Sequence, residues 1–218
     1  MKLVISLGGS LIASPPTDEN FSKYASVLKK ISEKCDKLVV VVGGGDSARK
    51  LIAEAQAKGL SLKKQDLAGI KGTHQNASRL VQKFGIKMKI PTSDSELETL
   101  AKEKKFLICG GTKPGQSTDN VAAVAASAIK ADLLINASNV DAVYDKDPKK
   151  NKDARKFEKM GYDELIEIVK QNEQTPGKYA LFDLKAAELC KKNKIKIAFI
   201  DGRNPENLHG KNIGTLIS

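Results

Sequence analysis

Residues 106–131 read F-L-I-C-G-G-T-K-P-G-Q-S-T-D-N-V-A-A-V-A-A-S-A-I-K-A, and this stretch decides the fold. Phe106 to Cys109 is an apolar run too short for an ordinary helix and bounded by glycine, the pattern of a buried strand. Gly110, Gly111, Pro114 and Gly115 then break regular structure, and Asp119 opens an alanine-rich segment of strong helix propensity. A strand, a glycine loop and a helix in succession leave amide N–H groups unpaired at the positive end of a helix dipole. That geometry holds phosphate. Thr112, Ser117 and Thr118 add hydroxyl donors to the same loop. Ordinary βα turn chemistry accounts equally well for any one such loop, so the weight rests on repetition.

Two more loops of this kind precede it. Gly8-Gly9-Ser10 follows the apolar run Leu3 to Leu7, and Gly43-Gly44-Gly45 follows Leu38 to Val42. In a parallel sheet the carboxyl ends of the strands share one edge, so the three loops converge there. Three consecutive glycines are costly in backbone entropy, and they fit a place where a backbone or a phosphate comes within van der Waals distance. Neither G-x-x-x-x-G-K-[ST] nor G-x-G-x-x-G occurs, which excludes a P-loop and a Rossmann dinucleotide site.

Outward from these loops, strands alternate with helices. A helix after Pro15-Pro16 is capped by Thr17 or Asp18, another by Asp46 or Ser47, and a third starts near Asp66. A short strand at Lys87 to Ile90 precedes a helix with a Ser93/Glu96 capping box. Leu133 to Ala137 is a strand that runs out into S-N-V-D-A-V-Y-D-K-D-P, an irregular hairpin-like excursion. The charged residues Lys146 to Lys159 read as a mobile surface loop. Helices at 162–169 and 184–192 and strands at 195–200 and 215–217 complete the chain. The alternation predicts an α/β fold: a three-layer sandwich with a central, mostly parallel sheet, in one domain spanning 1–218.

Composition narrows the function classes. With 218 residues, 40% hydrophobic and 29% charged, the chain can build a substantial core and reads as a soluble protein. No apolar run approaches the length that crosses a bilayer. Cys35, Cys109 and Cys190 are far apart and set among apolar or helical residues, as small core residues in a reducing cytoplasm. A net charge of +11 suits a polyanionic ligand, but the lysines are scattered and there is no tryptophan. A nucleic-acid surface is the weaker reading.

Taken together, G-G-S at 8–10, V-V-V-G-G-G-D-S-A-R at 40–49, G-G-T-K-P-G-Q-S-T-D-N-V-A-A at 110–123 and S-N-V-D-A-V-Y-D-K-D-P at 138–148 resemble the amino-acid-kinase superfamily. The G-G-T-x-P-G-x-[ST]-T-D block is similar to its archaeal-type uridylate kinases. The resemblance spans essentially the whole chain. It implies transfer of the ATP γ-phosphoryl group to UMP, with Mg²⁺ carried on ATP and assembly as a homo-oligomer, a hexamer. The amino-terminal part would hold UMP and the carboxyl-terminal part ATP.

By the same resemblance Gly44, Asp66 and the run Lys113, Pro114, Gly115, Gln116, Ser117, Thr118 and Asp119 contact UMP. Gly8, Gly9, Ser10, Gly45, Arg49, Ser138, Asn139, Tyr144 and Asp147 lie on the ATP side. The residue inventory suits that chemistry. A phosphate monoester with a second pKa of about 6 is already mostly ionised, so the acceptor needs no general base. Catalysis then rests on in-line positioning and on neutralising charge between two anions. His74, in mid-helix, and His209 are therefore read as structural or surface groups.

Arg49 and Lys113 are the cations available for charge neutralisation. Each assigned residue also has a plain structural reading: Arg49 as a solvated helix residue, Asp66 as an N-cap, Tyr144 as a packed aromatic. The chain departs from the family pattern at four places. Ser6 stands where many relatives carry a lysine, Ala142 where glycine is usual, Ser138 where threonine is, and Gln116 where histidine is common. If residue 142 needs a positive φ, alanine there is strained. The same fold also serves kinases with other acceptors and proteins that store oxyanions without catalysis.

Overall fold

The computed structural model describes residues 1–148, 150–173 and 181–218. Apolar runs and amphipathic segments follow one another as the elements β1 (Lys2–Leu7), α1 (Gly9–Ile12), α2 (Asp18–Lys34), β2 (Lys37–Val42), α3 (Gly45–Ala57), α4 (Leu62–Phe84), α5 (Asp94–Glu103), β3 (Phe106–Cys109) and α6 (Thr118–Ile129). The second half adds β4 (Leu133–Ser138), β5 (Val143–Tyr144), β6 (Lys156–Phe157), β7 (Lys159–Met160), α7 (Tyr162–Glu173), α8 (Leu184–Asn193), β8 (Lys196–Asp201), a 3₁₀ turn (Pro205–His209) and β9 (Ile213–Ile217).

The main sheet has the order β3-β2-β1-β4-β8-β9-β7. Its first five strands are mutually parallel, and β9 joins β8 antiparallel. The period-two alternation of each strand feeds two cores. Val4, Val39, Val41, Leu107, Leu134 and Phe199 face α5, α6, α7 and α8. Their neighbours Leu3, Ile5, Leu38, Val40, Ile108 and Ile200 face α2 and α4. A sheet buried on both faces is the three-layer sandwich the sequence predicts.

Local chemistry moves several boundaries. Thr17 caps α2, its hydroxyl accepting the Asn20 N–H. Ser93 caps α5, but Glu96 reaches back to the Thr92 N–H and not to that of Ser93 itself. Helix α3 is capped by Gly44, not by Asp46 or Ser47, because its first residue, Gly45, adopts φ +53° to bend the chain off β2. Helix α4 starts at Leu62, one turn before Asp66, which leaves Asp66 a helix side chain and not a cap. Likewise Ser117 caps α6, ahead of Asp119.

The expected strand at Lys87 to Ile90 joins no ladder. Instead the Met88 sulfur accepts the Ile108 N–H at 3.1 Å on the outer edge of β3, while Lys87 and Lys89 face water. Ala142 is buried with a φ outside the positive region, so alanine there is not strained. The stretch 146–159 includes residue 149, which lies outside the described residues. Around it β5 and β6 form a short antiparallel ladder, and Lys146 pairs with Asp153. The three cysteines are free and buried. No helix among the described residues is long and apolar enough to cross a membrane.

Candidate active site

Because β3, β2, β1 and β4 are adjacent and parallel, the loops leaving their carboxyl ends lie side by side. The first two touch backbone to backbone. A Cβ on Gly9 would fall 2.1 Å from the Gly45 nitrogen and 2.6 Å from the Gly44 nitrogen, so no larger residue fits. Helix α4 lies against the second and third loops. The Asn76 amide donates to the carbonyls of Gly43 and Gly44 at 2.9 and 2.8 Å. The Thr73 hydroxyl accepts the Gly111 N–H at 2.8 Å, and His74 Nε2 donates to the Gly111 carbonyl at 2.7 Å.

Between α3, α4 and the loop after β3 opens an outer cleft of about 360 Å³, lined by Gly44, Ile52, Asp66, Ile70, Gly111, Lys113, Pro114, Gly115, Gln116 and Thr118 among others. Its polar groups are few and already oriented. Asp66 Oδ2 accepts the Gly115 N–H at 3.0 Å. Asp94, the first residue of α5, accepts the Thr112 hydroxyl at 2.5 Å and Lys113 Nζ at 2.6 Å. Gln116 is held between the Thr112 hydroxyl and the Asn120 amide oxygen.

Behind it lies an inner cleft of about 170 Å³, lined by Ser6, Gly8, Thr118, Asp119, Asn136, Ser138, Asn139 and Leu181 with their neighbours. Thr118 lines both clefts. Ser6 and Asn136 are register partners on β1 and β4, so their side chains project together. Both donate to Asp119 Oδ1, at 2.7 and 2.9 Å. Burial pushes the Asp119 carboxyl up to about 6, and the nearby Asp183 adds to the rise against the two hydrogen bonds. Asp183 caps α8 through the Ala186 N–H at 3.0 Å and accepts the Ser117 hydroxyl at 2.7 Å. Ser117 in turn caps α6 through the Asn120 N–H. The positive ends of two helices are thereby tied together beside the inner cleft.

Of the residues singled out from the sequence, Gly44, Asp66, Lys113, Pro114, Gly115, Gln116 and Thr118 line the outer cleft. Gly8, Ser138 and Asn139 line the inner one. Asp119 also belongs to the inner cleft and not to the outer, because Ser6 and Asn136 draw its carboxylate under the β1 and β4 loops. The remaining assigned residues line neither cleft. Gly9 is packed beneath the glycine triplet and Ser10 is exposed on α1. Arg49 reaches the Ser14 hydroxyl at 2.9 Å and Asp46 at 2.5 Å on the surface, and Tyr144 donates to Asp141 at 2.9 Å. The carbonyl of Asp147 accepts the amides of Lys150 and Asn151.

Sequence reasoning passed over Thr73, Asn76, Asp94, Asn136 and Asp183, and it dismissed His74. Asn136 inside the apolar run L-L-I-N-A and Asn76 on the apolar face of α4 were visible signals, since a buried amide requires partners.

Glycine loops gathered on one sheet edge, helix ends beside two clefts that share Thr118, and a single carboxylate among the described residues of the inner lining define an α/β phosphate-handling protein. The chain belongs to the amino acid kinase family, whose sequence model matches residues 1–201. It is 40% identical to a uridylate kinase of Methanocaldococcus jannaschii over 213 residues, 95% of this chain and 93% of that one. The crystal structure of the uridylate kinase from Archaeoglobus fulgidus, 37% identical and matched along the whole of both chains, superposes with a TM-score of 0.88. A UMP kinase from Ureaplasma parvum shares the fold at 21% identity, with a TM-score of 0.80 over 100% of this chain and 98% of that one.

Proposed function

We propose that the outer cleft holds UMP, the inner cleft holds the phosphates of ATP, and the protein is a UMP kinase that transfers the γ-phosphoryl group to give UDP and ADP. The single observation behind this division is Thr118, which lines both clefts at the amino end of α6. Two anions meeting there share one helix dipole and one set of amides. Full-length relatives named uridylate kinase support the choice of acceptor.

Gly44, Asp66 and Lys113 to Thr118 form the acceptor site, with Asp66 directed to the ribose hydroxyls. Gly8, Ser138 and Asn139, which line the inner cleft, take the ATP phosphates and ribose; Gly9, Ser10 and Gly45 shape the loops beside them, while Tyr144 and Asp147 flank the base. Among the described residues no group of three or more His, Cys, Asp or Glu side chains is arranged to hold a metal ion. Mg²⁺ carried on ATP would neutralise charge on its phosphates. Asp119, whose Oδ1 accepts from both Ser6 and Asn136, would be the carboxylate that meets it. Ser6, standing where a lysine would, steadies that carboxylate without neutralising it. Arg49 and Lys113, both ion-paired at the surface, supply the remaining positive charge once ligands displace Asp46 and Asp94. The reading places the chain in pyrimidine nucleotide synthesis in the cytoplasm.

A coupled assay with MgATP and a panel of UMP, CMP, dUMP and acetylglutamate tests it. UMP is the preferred acceptor; equal turnover of CMP, or of no nucleotide at all, would refute the assignment.

A further inference from the structure

Helix α4 supplies one further device, made from one turn of residues of which Thr73 lines the acceptor cleft. Asn76 is fully buried, and its amide nitrogen is shared between the carbonyls of Gly43 and Gly44. Among the described residues its Oδ1 is buried without a partner, so the side chain's bonds to its surroundings are these two donations. Two residues earlier, His74 Nε2 meets the Gly111 carbonyl at 2.7 Å. A carbonyl can only accept, so this nitrogen carries the hydrogen. Thr73 holds the N–H of the same residue at 2.8 Å and passes its own hydrogen to the Ile70 carbonyl at 2.7 Å. Gly111 is thus gripped from both sides by consecutive residues.

The consequence follows from peptide geometry. In a planar trans peptide the C=O and the following N–H point in opposite directions. Drawing the Gly43, Gly44 and Gly111 carbonyls toward α4 therefore turns the N–H groups of Gly44, Gly45 and Thr112 away from it. None of these three amides has a partner among the loop and turn bonds of the described residues. Left to itself, a run of glycines samples either orientation almost freely. Glycine is also what lets α4 come so close: a Cβ on Gly110 would lie 2.5 Å from Thr73 Oγ1 and 2.9 Å from His74 Cδ2.

We propose that Thr73, His74 and Asn76 are positioning residues that fix the donor amides of the second and third glycine loops, those of Gly44 and Thr112 toward the acceptor's phosphate and that of Gly45 toward ATP, and that the grip on Gly111 thereby sets the affinity for the acceptor. The inference deepens the acceptor-site reading above and rests on it. His74 touches the acceptor loop through its backbone, so its effect appears in acceptor binding more than in ATP binding.

The test uses the full chain and two substitutions at one position. His74→Leu removes the donor at similar bulk; His74→Gln keeps an N–H donor on an uncharged side chain. In His74→Leu the KM for UMP rises about five- to tenfold, the usual worth of one hydrogen bond, while the KM for ATP changes less than twofold. His74→Gln restores most of the UMP affinity. Amide hydrogen exchange by mass spectrometry, which needs no turnover, gives faster exchange over residues 109–116 in His74→Leu than in the parent or His74→Gln. Unchanged exchange together with an unchanged UMP KM in His74→Leu overturns the clamp, as does an equal rise in both KM values. A parent protein that does not phosphorylate UMP is a different failure: it removes the acceptor assignment, and the exchange measurement still decides whether His74 orders the loop.

Discussion

At the scale of single residues, two carboxylates have opposite situations. Asp66 is exposed on α4, one turn inside the helix, with Oδ2 on the Gly115 N–H. Asp66→Asn keeps an oxygen for that amide but weakens the charge-assisted bond to a sugar hydroxyl. We expect the UMP KM to rise about tenfold, with the ATP KM little changed; a parent-like UMP KM removes Asp66 from the site. Asp119 is held in the inner cleft with its pKa pushed up to about 6, chiefly by burial. The folded state thus favours its protonated form. That contribution to stability is fully present below the unfolded carboxyl value and is lost as pH rises through about 6. Asp119→Asn keeps an acceptor for Ser6 and Asn136 but carries no charge. The variant should melt higher than the parent at pH 8, by a margin that closes in acid, while turnover falls. A margin independent of pH would show that the carboxylate is not strained by its surroundings. Asp66 was reached only through the family resemblance, since none of the quoted motifs contains it. The true surroundings of Asp119 were not legible, because Ser6 and Asn136 meet it across 113 and 17 residues of sequence.

At the scale of elements, α3 and α4 pack as a close antiparallel pair through the smallest residues they have. A Cβ on Gly72 would lie 2.5 Å from Ala48 Cα and 2.6 Å from its nitrogen, contacts with backbone that cannot swing aside. Alanine is the better helix former by about 1 kcal/mol, yet overpacking against backbone costs about 1–3 kcal/mol. Gly72→Ala therefore lowers the urea midpoint; a midpoint at or above the parent's would show that the two helices can slide apart without loss. The periodicity of α4 was readable, but its first turn was not. Leu62, Lys63 and Lys64 are exposed and Gln65 is half-buried, so the turn gives no apolar stripe to count. The strand expected at Lys87 to Ile90 fails for a related reason. Its alternation is correct, but one methionine sulfur satisfies the edge amide of β3 in place of a whole strand.

At the scale of the molecule, a mostly parallel sheet with α-helices on both faces places every glycine loop at one edge, and the site follows from that placement. Assembly is the remaining property at this scale. We expect a homohexamer, and light scattering at micromolar concentration checks it; a monodisperse monomer would show that the clefts act without neighbouring subunits. From residues alone came the layered α/β class, the three loops and the G-G-T-K-P-G-Q-S-T-D-N block, because strand alternation, glycine geometry and helix capping are local and each leaves its mark within a few positions. Only the tertiary structure decided that the block divides at Thr118 between two clefts, that Asp119 turns inward to Ser6 and Asn136, and that α4 holds the glycine loops by their carbonyls. Those outcomes depend on which strands become neighbours and on how closely a helix can approach them, and that is settled by long-range packing.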